Sequence, residues 1–112
     1  MRCTFKGANL DDDLRPWAQA PREVARPQQV PLIELVDASF ASVQALGQAN
    51  ADELATAAPG TRGFDRSHLG PKGVCVFSAL VWPGLQAMVP ALVPALKPVA
   101  PPAPDCVAVA PT

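Results

Sequence analysis

The chain has 112 residues, a formal net charge of −1 and a hydrophobic share of 49% that rests largely on alanine and valine. That length holds at most one compact domain, and a near-neutral balance excludes the basic footprint of a nucleic-acid binder. With no Tyr, one Ile, four Phe and two Trp, large core fillers are scarce, so the expected core is thin.

The 14 prolines exceed the usual frequency of about 5% and cluster toward both ends. Abundant Ala, Pro, Gly and Arg with rare Tyr, Ile, Asn and Lys match the bias of GC-rich coding DNA, which an orphan or alternative-frame product without a selected role would also show. The three cysteines, Cys3, Cys75 and Cys106, are odd in number and form no C-x-x-C, so reduced thiols are the expectation. The N-terminal residues lack the apolar stretch of a signal peptide and soon meet Asp11, Asp12 and Asp13. Cytoplasm or nucleus is therefore the expected location, with a membrane as the alternative considered below.

Residues 1–31 mix charges, prolines and two isolated aromatics, Phe5 and Trp17, with no helical or strand period. They read as a disordered or irregular arm. Residues 32–58 form the strongest element. Pro31 suits a first helical turn, and Leu32, Val36, Phe40, Val43 and Leu46 recur at steps of three and four. Glu34 and Asp37 lie near the positive end of the helix dipole, while Gln44 and Gln48 fall off the apolar stripe. Gly47 weakens the helix, and a break is expected near 47–50. Asn50 with Glu53 resembles a capping box, predicting a short second helix through Leu54 to Ala58 before Pro59 and Gly60.

Residues 59–72 hold Gly60, Gly63 and Gly70 with Arg62, Asp65, Arg66 and His68, a linker loop. Residues 73–96 carry no charge and are bracketed by Lys72 and Lys97. The segment has the roughly 20-residue length of a membrane span, but Pro83, Pro90 and Pro94 interrupt it. Its core, 73–89, reads as a buried or membrane helix, and residues 74–82, rich in valine, as a strand that lacks a second strand to pair with. If it spans a membrane, Arg62, Arg66 and Lys72 place the N-terminus in the cytosol. Residues 97–112 form a Pro-rich tail expected to be disordered or polyproline-II, with minimal P-x-x-P spacings from Pro98 to Pro104.

No sequence motif for nucleotide, metal or nucleophilic chemistry occurs. Asp11 to Asp13 are adjacent acids without spaced further ligands, and His68 has neither a nucleophile nor an orienting group at a recognisable spacing. The expected fold is mostly α with extensive disorder, and no catalytic, cofactor or metal residue is assigned. The expected function is that of a small non-enzymatic accessory factor whose partner is another protein. The candidate partner-binding residues are Leu32, Val36, Phe40 and Val43, a stripe suited to a hydrophobic groove. A single-pass or membrane-associated protein anchored by 73–96 is the alternative.

Overall fold

The computed structural model describes residues 3–96, so the Pro-rich tail expected over 97–112 lies outside the described residues. The described chain is mostly helical with one small hairpin. Strands β1 (Phe5–Lys6) and β2 (Asn9–Leu10) pair antiparallel around a two-residue loop, with Phe5 opposite Leu10. A 3₁₀ turn over Arg15–Ala18 leads into α1 (Gln19–Gln28). Two long helices follow, α2 (Leu35–Asp52) and α3 (Pro71–Met88), and a second 3₁₀ segment covers Pro90–Ala95.

Residues 3–31 are therefore an ordered N-terminal unit and not an irregular arm. Two-residue strands are too short to show a period, and the contacts that hold them come from α2. The Phe5 N–H donates to Gln48 Oε1 at 3.1 Å and the Leu10 N–H to Gln44 Oε1 at 2.7 Å. In return Gln44 Nε2 donates to the Ala8 carbonyl at 2.9 Å and Gln48 Nε2 to the Cys3 carbonyl at 3.2 Å. A two-stranded hairpin is marginal by itself in water. These glutamines supply partners for its outward backbone groups.

In α1, Pro21 stands in the first turn, where the missing N–H has no intrahelical acceptor to lose. The helix closes at Gln29, whose φ of 54° is left-handed, and the Val30 N–H donates back to the Ala25 carbonyl at 3.0 Å. Arg22 grips both carboxylate oxygens of Glu34, at 2.8 and 2.7 Å, which ties α1 to the entry of α2.

Helix α2 begins at Leu35, later than the predicted 32, because Glu34 takes a non-helical ψ of 88°. Leu32 and Ile33 are left outside the helix. At Gly47 the backbone takes φ 71° and ψ 167°, a conformation that only glycine adopts readily, and the final turn changes direction there. The short helix predicted through Leu54 to Ala58 does not form. Asn50 lies inside α2, where its Nδ2 donates to the Leu46 carbonyl at 2.9 Å, and Glu53 pairs with Lys72. Residues 53–58 instead turn into the loop, which a bridge between Ala55 and Leu69 closes.

The strand reading of 74–82 gives way to α3, with Pro71 in its first turn. A valine-rich strand needs a neighbour for its backbone groups, and the only sheet among the described residues is the N-terminal hairpin; a helix satisfies those groups internally. The membrane-span reading of 73–96 is also corrected: no helix of the described residues is long and apolar enough to cross a membrane. The 18 residues of α3 rise about 27 Å, short of a hydrocarbon core of about 30 Å, and Pro90 starts the 3₁₀ segment that follows.

The core gathers Cys3 and Leu10 from the N-terminal unit, Val43, Ala51 and Leu54 from α2 and its exit, and Val76 and Phe77 from α3. The start of α3 lies against the backbone at Leu54: the Gly70 N–H donates to the Leu54 carbonyl at 2.8 Å. A Cβ on Gly73 would collide with that same carbonyl and with the Leu69 side chain. Gly73→Ala therefore forces α3 away from the exit of α2. We expect a loss of about 1–3 kcal/mol, read as a lower urea midpoint, whereas Gly60→Ala, which meets open space, is limited to backbone strain at its φ of 79°.

Candidate functional site

A concavity lined on one side by three acidic residues lies where the chain leaves the hairpin and meets α2. Asp11, Asp12, Asp13 and Leu14 form one wall. Leu35, Val36 and Ser39 of α2, Ser67 and Leu69 of the loop and Phe77 of α3 supply the rest. Its volume is about 190 Å³, below the roughly 300 Å³ at which small-molecule pockets begin. A space of this size, with a floor of Leu35, Val36, Leu69 and Phe77, accepts an apolar side chain more readily than a cofactor.

The polar groups around it are engaged within the protein. Lys6 Nζ lies 2.9 Å from Asp11 Oδ2, and Arg15 pairs with both Asp12 and Asp37. The Arg15 guanidinium holds the Asp37 carboxyl below its ordinary value and also lies 5.6 Å from the centre of the Phe40 ring. Ser39 Oγ donates to the Val36 carbonyl at 3.1 Å. Among the described residues no cluster of three or more His, Cys, Asp or Glu side chains is arranged to hold a metal ion.

The four residues of the predicted stripe separate in space. Val36 lines the cleft. Phe40 is half-buried beneath Arg15. Val43 is completely enclosed, at 0% exposure, and works as core. Leu32 precedes α2 and faces a second hollow beside Arg22, Ala25 and Met88. The stripe thus presents one member, Val36, at the cleft, and no single groove collects all four.

Outside the cleft lining is a polar network that sequence reasoning did not find. Asp52, 7% exposed, accepts from Arg66 Nε at 2.7 Å, from Arg66 Nη2 at 3.1 Å and from Gln48 Nε2 at 2.6 Å. The Cys3 N–H donates to the Arg66 carbonyl at 3.2 Å, so the loop, α2 and the N-terminal chain meet at one ion pair. No local pattern signals this, because Cys3 and Gln48 are separated by 45 positions. The Asp11 to Leu14 wall was equally hidden, since only the docked hairpin carries it to α2.

His68 does meet a carboxylate: its Nδ1 lies 2.9 Å from Asp65 Oδ2. The pair stands in solvent, with His68 80% exposed, and Asp65 Oδ1 caps the turn by accepting the Ser67 and His68 N–H groups at 2.7 and 2.8 Å. Those backbone bonds and the imidazole lower the Asp65 carboxyl to about 2. A folded-state pKa below the unfolded one stabilises the turn above the ordinary carboxylate range and loses that contribution as pH falls toward about 2. The Asp65 carboxyl resonance should accordingly titrate near 2 by NMR, and in Ser67→Pro, which lacks one backbone donor but keeps both His68 bonds, the midpoint should move upward without reaching the ordinary value.

The cysteines take different roles. Cys3 is free and buried, and its thiol is pushed up mainly by that burial, which suits packing and not nucleophilic chemistry. Cys75, on α3, is disulfide-bonded, against the expectation of reduced thiols. No protein-family model matches this chain, and neither the curated proteins nor the solved structures include a significant match to it.

Proposed function

We propose that this chain is a small non-enzymatic interaction factor whose partner is another protein, contacted at the cleft beside Val36. The observation that carries this reading is the cleft itself: an apolar floor from α2, the loop and α3, closed on one side by the Asp11 to Leu14 wall. Its rim cations and carboxylates already pair with one another, so recognition falls to the apolar floor, which takes one anchoring side chain from a partner segment.

Site-specific photo-crosslinking tests it. With a benzoylphenylalanine in place of Val36 in the full chain, irradiation in cells should give a discrete protein adduct. The same group in place of the exposed Glu23 on α1 should not give that adduct. Diffuse labelling from both positions, or none at Val36, would remove the interaction reading of this cleft.

A further inference from the structure

Helix α2 is broken at Gly47, and the two side chains that hold the N-terminal hairpin stand on either side of the break: Gln44 before it, Gln48 after it. Each glutamine amide accepts one hairpin N–H and donates to the carbonyl two residues earlier. Gln44 takes Leu10 and Ala8, and Gln48 takes Phe5 and Cys3. Each amide thus does what a peptide group of a further strand would do. Because the Asp11 N–H donates to the Thr4 carbonyl between the strands, the neighbouring Phe5 and Leu10 N–H groups point outward from opposite edges. The two glutamines therefore close on the hairpin from both sides.

We propose that Gly47 is the hinge of this clamp. With α2 broken, the hairpin is held. With α2 continuous, the two jaws fall onto one face, the hairpin is released, and the Asp11 to Leu14 wall that it carries loses its fixed place beside Val36.

Three observations carry the hinge. The Gly47 backbone, at φ 71° and ψ 167°, lies in a region that is essentially restricted to glycine and recurs at clamps and switches. An added Cβ there would meet open space, so glycine serves this backbone conformation and not a close approach. The two sides of the break also belong to different parts of the fold. Val43, before it, is packed in the core, whereas Asp52, after it, is tied to the loop by Arg66 and to the second jaw by Gln48. A continuous helix would set residues 44 and 48 about 5–6 Å apart on one face. The edges they hold lie outside two strands that are themselves about 4.8 Å apart. The hinge decides whether the cleft exists and not what binds in it, so a failed crosslink at Val36 leaves it standing.

The test compares Gly47→Ala, D-alanine placed at position 47 by chemical ligation, and Gly60→Ala in the full chain, by amide hydrogen exchange and far-UV circular dichroism. L-Alanine favours a continuous helix and opposes the positive φ, which together shift the hinge toward the straight form by about 10- to 1,000-fold. In Gly47→Ala the Phe5 and Leu10 N–H groups should exchange faster by that factor relative to Val43, with no loss of helical signal. D-Alanine, for which a positive φ is the ordinary side, should keep both amides at least as protected as in the natural chain. Gly60→Ala strains a loop glycine of similar φ, 79°, away from the clamp and should leave the ratio of Phe5 and Leu10 exchange to that of Val43 unchanged. Unaltered Phe5 and Leu10 protection in Gly47→Ala would overturn the hinge, as would an equal loss at Val43. So would D-alanine behaving as L-alanine does, or Gly60→Ala shifting the same ratio.

Discussion

Leu54→Ala is expected to cost about 2–5 kcal/mol. Leu54 is 1% exposed and is, with Val43, among the largest fully enclosed side chains of the described protein. It sits where α2 ends and its carbonyl receives α3 through the Gly70 N–H, so helix packing limits how far the site can collapse around a cavity. A domain of this size has a stability of about 5–15 kcal/mol, and its core is short of large side chains. One truncation therefore removes a sizeable share. Urea unfolding should show a lower midpoint at unchanged slope, and a loss under about 1 kcal/mol would mean that Leu54 is not enclosed.

Asp52→Ala is expected to lose about 2–4 kcal/mol, somewhat less than removing one partner from a fully buried pair, because the Arg66 side chain keeps 36% exposure. The substitution deletes three acceptor contacts at once and leaves a guanidinium and the Gln48 amide facing each other without the carboxylate. A cycle with Arg66→Ala separates the pair's coupling from the cost of the stranded cation. The coupling should persist at high salt, since Asp52 is shielded from solvent; a value that vanishes with added salt would mark the pair as a surface contact.

The helical character of 35–52 was legible because an apolar period of three and four needs no tertiary information to be seen. Its start was not. Leu32 continues the stripe, yet Glu34, gripped by Arg22, takes a non-helical ψ just before the helix. The glutamines show the opposite failure. Off the apolar stripe, Gln44 and Gln48 read as solvent-facing, but their amides are the ligands of hairpin backbone groups 34 to 45 positions away. The hairpin was opaque for the same reason: its backbone partners are α2 side chains far along the chain. For α3, β-branched composition favoured a strand, but the lack of a second strand was already legible and pointed to a helix over 73–89, which corresponds to α3 at Pro71–Met88.

Val43 and Val36 show why the candidate site was only partly visible. Both lie on one stripe at helical spacing, and sequence cannot divide them. The fold does so by docking the hairpin exit over α2, which opens a cleft at Val36 while Val43 stays enclosed.

The cleft exists only if the N-terminal unit is fixed to α2, and amide hydrogen exchange tests that most directly. The Phe5 and Leu10 N–H groups, held by Gln48 and Gln44, should be protected to a degree approaching that of Val43 in α2. They should lose that protection in Gln44→Ala/Gln48→Ala while Val43 keeps its own. Phe5 and Leu10 exchanging at unstructured-chain rates beside a protected α2 would contradict the docked hairpin and, with it, the cleft on which the proposed interaction depends.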